Sequence, residues 1–382
     1  MHTAVNDLSL REGVTRLLDS YIGVSSHDHV LLAYTPDSRR YAAAVSLELA
    51  GRGIRHTTFP MLPLEDPGLR DRLACVLPDP ASFRGSFVAL TLELDTMSHF
   101  DEFSDIIDAY GAARAKVVRI ISATEELFTS GLALSPTVME RLNATLMAWL
   151  RDARSVHLSN EAGTDLTVEL DQDRYDWISN RGRHRPGAFL VLPPGEIATY
   201  PARVNGIYCP DGAINCNVLT ELDVLLADAA LRLEIVDSRV VSFQTTRDDV
   251  RQFLSSAFAQ EHGNRIGELG FGTNRALHRF IPHNSHLNER FPGIHLGIGQ
   301  HNQTLENVPY YCPTHIDLVA TRARITKESG ETLDLASFPP DPSVEHPRLV
   351  RDQDVNGDCC SSGCSLVTLP TRGTGPEAVV IG

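Results

Sequence analysis

Lysine is almost missing from this chain: of 34 basic residues, only Lys116 and Lys327 are lysine. That skew reads as a genome-wide composition bias and assigns no function. Positive charge is also in deficit, with 34 basic against 49 acidic residues and a net charge of −15. Gripping a phosphate backbone needs basic patches, so nucleic acid is excluded as a partner. No run of 18 uncharged apolar residues occurs, so nothing is built to span a bilayer and no membrane partner is implied. The opening stretch MHTAVNDLSLREGVTRLLDS has early acids and no apolar centre, so it does not read as a secretory signal. Seven cysteines are an odd number in a chain without such a signal. Both points favour a cytoplasmic protein with mostly reduced thiols. No internal repeat is visible.

What is present is ordinary for a folded protein: 42% apolar and 22% charged residues over 382 positions. That length allows two or three domains with a sizeable core. Residues 1–154 alternate short apolar runs (HVLLAY, FVALTLEL, KVVRIIS) with helical patterns such as SRRYAAAVSLELAGRG and PTVMERLNATLMAWLRDA. Such alternation predicts an N-terminal α/β domain with a parallel sheet. From 155 to 338 the texture changes to short β-like runs, among them DLTVEL, AFLVLP, IHLGIG and HIDLVATRARITKE, separated by turn formers. One helical pattern at 245–263 interrupts them. This half predicts a mixed or antiparallel, β-rich α+β domain. Residues 339–382, rich in Pro, Gly, Ser and Asp, read as a tail.

Chemistry-bearing residues of the β-rich half sit at element edges. Glu196 follows a Pro-Pro-Gly turn, Glu268 is flanked by Gly267 and Gly270, and His295 lies in GIHLGIG. His315 and Asp317, two apart in THIDL, share one face of a strand. Three carboxylates and two imidazoles suffice for two divalent metals if one carboxylate bridges. Zn, Co or Mn suits such donors, and Fe does too. Taken singly, an H-x-D on a strand or an acid between glycines is more often structural.

The stretches NEAGTDLTVEL, LPPGEIATYP, IGELGFGTN, GIHLGIG and THIDL, in this order, resemble the metallo-aminopeptidase family typified by aminopeptidase T and aminopeptidase S. The resemblance covers roughly residues 14–335. It implies that Glu196, Glu268, His295, His315 and Asp317 hold a metal pair. It also implies dimerisation and removal of N-terminal residues from peptides, so the partner would be a small peptide or amino-acid-like substrate. One position departs from the family. A tyrosine stands seven residues after the strand histidine in the aminopeptidases; here that position is Asn302, preceded by His301. Asparagine cannot act as a phenolic acid, but it can hydrogen-bond an oxyanion. The sequence also resembles 2,5-dihydroxypyridine dioxygenase, a mononuclear iron enzyme on the same scaffold. There DTMSH (95–99) corresponds to a strand end whose histidine is a base, which makes His99 a candidate acid/base.

Other signals have plainer readings. Gly267, Gly270 and Gly272 do not complete a phosphate loop. GTD at 163–165 reads as a turn, HDH at 27–29 as solvated, and His278, His283 and His286 as surface histidines. Cys359, Cys360 and Cys364 lack the paired spacing of a zinc ribbon and read as exposed thiols. Three functions stay open on the sequence. The first is a dinuclear hydrolase in which a carboxylate or His301 moves the proton and Asn302 steadies an oxyanion. The second is a non-haem Fe(II) oxygenase, and the third a non-catalytic partner that keeps the fold for binding.

Overall fold

The computed structural model describes residues 2–94, 97–218, 220–348 and 379–380. The cysteines at 359, 360 and 364, and the tail from 349 to 378, lie outside the described residues. No described helix is long and apolar enough to cross a membrane.

The chain begins with α1 (His2–Arg16), β1 (His29–Tyr34), α2 (Arg39–Gly51), β2 (Arg55–Pro60), α3 (Leu69–Val76), β3 (Phe87–Leu92), α4 (Phe100–Tyr110), β4 (Ala115–Ile120) and α5 (Pro136–Leu150). Next come β5 (Ser155–Ser159), β6 (Asp165–Glu169), β7 (Trp177–Asn180) and β8 (Phe189–Leu192). Then follow β9 (Glu196–Thr199), β10 (Arg203–Tyr208), β11 (Ile214–Cys216), β12 (Arg232–Val236), β13 (Arg239–Gln244), α6 (Asp248–Phe258) and β14 (Ile266–Gly272). The last elements are α7 (His286–Arg290), β15 (Gly293–Gly299), β16 (His315–Thr321), β17 (Arg324–Lys327), β18 (Thr332–Asp334) and β19 (Val379–Val380).

Two compact units result. The first comprises residues 1–139 and 180–194, the second 140–179 and the described residues from 195 onward. Unit one is built on a five-stranded parallel sheet in the order β2-β1-β3-β4-β8. Its central strands are near-continuous apolar runs: all six residues of β3 are buried, as expected for strands covered on both faces. The run AFLVLP, read from sequence with the β-rich half, belongs here as β8. It registers on β4 from Val117↔Phe189 to Ile120↔Leu192. A linear boundary therefore does not describe the units, because the chain returns to the first sheet to add a last parallel strand.

Beyond the end of β3, a buried ion pair fixes the following loop. Arg119 on β4 and Glu93 are fully buried, with Nη2 to Oε1 at 2.8 Å. Arg119 Nε also donates to Thr91 Oγ1 at 2.9 Å, and the Ser98 N–H donates to Glu93 Oε2 at 2.8 Å. The guanidinium stacks over the Phe103 ring at 4.7 Å.

Unit two contains two sheets. The eight-stranded one runs β18-β17-β5-β6-β10-β12-β13-β19, and the six-stranded one β11-β16-β15-β14-β9-β7. Strands β6 and β12 alternate buried and exposed residues, the signature of antiparallel strands with one wet face. Strands β14 and β15 are instead buried throughout and rich in glycine.

Removing one member of a buried pair strands the other's charge. Glu93→Ala should therefore destabilise unit one by about 3–5 kcal/mol, read as a lowered midpoint in denaturant unfolding. An unchanged midpoint would show that the pair does not hold this loop.

Candidate metal centre

The six-stranded sheet gathers all five candidate ligands. Period-2 alternation sends Ile294, Leu296 and Ile298 of β15 to one face and His295, with Gly293, Gly297 and Gly299, to the other. Register then aligns the neighbours in rows. Asp317 on β16 lies opposite Gly297 on β15, and Glu268 on β14 lies opposite the same glycine from the other side. Two residues along, His295 lies opposite Gly270, and two further along Glu196 on β9 lies opposite Gly272. Each interposed glycine leaves the volume into which charged groups converge. A Cβ on Gly270 would sit 1.9 Å from His295 Nε2. One on Gly297 would sit 2.7 Å from Glu268 Cβ and 3.0 Å from Asp317 Oδ1.

Two triads result, Glu196–Glu268–His295 and Glu268–His315–Asp317, with ligand atoms of each within 4.8 Å of one another. Glu268 belongs to both. All five residues are buried. His295 Nε2 stands 2.8 Å from Glu196 Oε1 and 3.6 Å from Glu268 Oε1. His315 Nε2 stands 3.1 Å from Asp317 Oδ2. The other ring nitrogen of His315, Nδ1, lies 2.8 Å from the Gln300 carbonyl oxygen. Donation to that carbonyl fixes the tautomer that turns a lone pair on Nε2 toward the carboxylates, the arrangement typical of a metal-ligating histidine.

The donor set fits divalent metal on three counts. Glu268 Oε2, Asp317 Oδ1 and His295 Nδ1 are buried polar atoms with no hydrogen-bond partner, which a folded protein rarely tolerates without another use for them. The glycine cradle keeps space at the convergence point. Finally, carboxylate and imidazole together suit Zn, Mn, Co or Fe(II).

Electrostatics point the same way. Burial pushes the Glu268 carboxyl up to about 7, against the lowering pull of His295. Burial opposes charge on both imidazoles. The Glu196 and Glu268 carboxylates nevertheless hold His295 well above its ordinary value, and Asp317 does the same for His315. Burial would raise Asp317 too, but the His315 charge and hydrogen bond hold it well below the usual carboxylate range. Without metal, the cluster neutralises itself with protons.

A second layer was not visible in the sequence. Arg290, fully buried at the end of α7, pairs through Nη1 with Glu196 Oε2 and, at 2.9 Å, with Glu289 Oε1. Asn215 Nδ2 donates to Glu289 Oε2 at 2.6 Å, and Asn215 lies opposite Asp317 in register. Asn143 Nδ2 donates to the Glu196 carbonyl at 2.9 Å. The only signal in the chain was an adjacent Glu-Arg pair inside HLNERFPG, which reads like any solvated charge pair.

The remaining candidates belong to neither triad. His301 is buried with both ring nitrogens engaged: Nε2 is 2.8 Å from the Tyr310 carbonyl oxygen, and Nδ1 accepts from the Gln303 N–H at 3.1 Å. That ring ties down a turn, with both nitrogens engaged. Asn302 is buried, and its Oδ1 accepts from Gln303 Nε2 at 2.8 Å. His99 belongs to unit one, at the N-terminus of α4 with φ +60°, and its Nε2 lies 2.7 Å from the Leu62 carbonyl oxygen. His278 is exposed, His283 half-buried and His286 buried on α7 rather than at the surface; none joins either triad. Asp28 of HDH is buried and accepts the N–H groups of Ser25 and Ser86, so it closes a turn.

The family model of the crocagin biosynthetic protein CgnE/B matches residues 215–327, which include every centre residue but Glu196. The 2,5-dihydroxypyridine dioxygenase from Pseudomonas putida KT2440 has a similar structure. Its TM-score is 0.61 at 15% identity, over 88% of this chain and 98% of that one. Wild-type AmpT from Thermus thermophilus is also similar, with a TM-score of 0.53 at 14% identity, over 86% and 97%. This chain has their fold. No curated protein matches it.

Glu268, His295 and His315 bind protons more tightly folded than unfolded. The Glu268 contribution to stability is present in acid and is lost as pH rises through about 7, and that of the two histidines is lost at still higher pH; Asp317 is ionised across that window. The metal-free protein should lose thermal stability between about pH 5 and pH 8, and saturating divalent metal should abolish the loss while releasing protons. Scanning calorimetry with and without chelator checks this. A metal-free stability that rises over that range would refute it.

Gly297→Ala should abolish metal binding while far-UV circular dichroism stays native. Full metal content in that variant would show that the cradle is not where metal sits.

Proposed function

We propose that this chain is a metal-dependent hydrolase of aminopeptidase type. Its substrate would be a small peptide or amino-acid-like molecule cleaved at an N-terminal amide. The observation that carries the reading is the pair of buried triads sharing Glu268, because one bridging carboxylate between two three-ligand sets suits a dinuclear centre. The match to a crocagin biosynthetic family supports a role in making a specialised product rather than in general peptide turnover.

Glu196, Glu268 and His295 would hold one ion, and Glu268, His315 and Asp317 the other. Such a pair supplies Lewis acidity that polarises a carbonyl oxygen and makes water a better nucleophile at neutral pH. The protein's own contribution is positional. The Gln300 carbonyl fixes the His315 tautomer, the six-stranded sheet excludes water behind the ligands, and a carboxylate oxygen not engaged by the ions would take the proton of the attacking water. Asn302, its amide set by Gln303, donates to the oxyanion where the aminopeptidases have a tyrosine. The reading assigns no step to His301 or His99.

A mononuclear Fe(II) oxygenase is the second reading. The likeness to the dioxygenase and the absence of the tyrosine favour it. One experiment separates the two. Metal content per chain is measured on anaerobically purified protein, wild type and Glu268→Ala, followed by a panel of aminoacyl and dipeptide substrates and by oxygen uptake with Fe(II). The hydrolase predicts two ions per chain, oxygen-independent amide cleavage with Zn, Co or Mn, and at least roughly 100-fold loss in Glu268→Ala. A single iron with substrate-dependent oxygen consumption would replace it with the oxygenase.

A further inference from the structure

Resting on that metal-centre reading, we infer that the two triads are unequal: Arg290 is a built-in cation that makes the Glu196–Glu268–His295 position the weaker metal site. The protein would then hold one ion tightly at Glu268–His315–Asp317 and a second one loosely.

Three observations carry this. First, Arg290 occupies one oxygen of Glu196, Oε2, and leaves only Oε1 facing His295 Nε2. Glu196 can therefore offer an ion one oxygen, and that carboxylate is already partly neutralised. In the other triad, Asp317 Oδ1 is buried without a hydrogen-bond partner, and His315 is oriented through the Gln300 carbonyl. His295 Nδ1 has no such support.

Second, a guanidinium in contact with a ligand carboxylate repels a divalent ion bound to that carboxylate. Repulsion between like charges is far stronger in a buried site than in water.

Third, the arginine cannot swing aside. Its carbonyl accepts the Asn274 N–H at 3.0 Å. The end of α7 lies so close to β14 that a Cβ on Gly272 would meet the Phe291 oxygen at 1.9 Å. Asn288 holds the preceding loop through the Ile281 N–H and carbonyl. Glu289 Oε1 holds the same nitrogen, Nη1, at 2.9 Å.

The test uses the full chain, stripped with chelator and titrated with Co(II) by calorimetry, with visible absorption as a second readout. In wild type, one Co(II) should bind at least about tenfold more tightly than the next. Arg290→Met should close that gap to within about threefold by tightening the weaker event, whereas Arg290→Lys should preserve it. Glu196→Gln should delete the weaker event and leave the tighter one unchanged, which keeps the inference testable if Arg290→Met fails to fold. Two equal events in wild type, an unchanged gap in Arg290→Met, or loss of the tighter event in Glu196→Gln would each overturn the inference while leaving the metal centre standing. Absence of any Co(II) binding would overturn both.

Discussion

Three carboxylates and two imidazoles crowded onto the dry face of one sheet are the constraint to which the rest of the second unit answers. Charges brought together out of water are costly unless protons, counter-charges or metal neutralise them. Every unusual feature nearby supplies one of these. Glu268 keeps its proton to about 7, the imidazoles hold theirs, and Arg290 sits against Glu196. Glycines at 270, 272 and 297 let the backbone come close enough for the groups to meet at all.

The surroundings of the cluster are correspondingly rigid. Asn143 accepts from Thr273 Oγ1 at 2.6 Å and donates to the Glu196 carbonyl, so a helix residue braces the strand that carries a ligand. Asn217 accepts the His315 N–H at 2.7 Å and donates to the Pro313 carbonyl at 2.9 Å, setting where β16 begins. Buried polar networks of this kind specify one arrangement because a half-satisfied version is so unfavourable. Precise placement matters here, because metal and substrate chemistry both degrade with displacements of about an ångström. The same scaffold carries a dioxygenase and an aminopeptidase, so reaction type is decided by the ligand set and its counter-charges and not by the fold.

Legibility from the sequence followed the range of the interactions involved. The parallel sheet was readable because burial on both faces leaves apolar runs such as FVALTL, a purely local mark. The H-x-D pair of β16 was readable because period two is a local property of strands. AFLVLP was misplaced for the same reason: a short apolar run looks alike in a parallel and an antiparallel sheet, and its partner β4 lies about seventy residues away, from Val117 to Phe189. Glu289 and Arg290 were missed because nothing in HLNERFPG distinguishes a buried pair from a solvated one. The contacts of His301 were not legible either, because a ring's availability depends on what its nitrogens face, here Tyr310 and Gln303.

Composition and local periodicity thus determined the change from α/β to β-rich texture and the candidate acids and histidines at strand edges, which the resemblance to the aminopeptidases joined into one set of five. Those are properties of residue type and of spacings of two to four. Strand register alone decided that the five meet as two triads sharing one glutamate, because the pairing of β9, β14, β15 and β16 brings together residues more than a hundred positions apart. Tertiary packing alone placed a buried arginine against one triad and not the other. That placement depends on how closely α7 approaches β14, a distance that a glycine permits but no local pattern records.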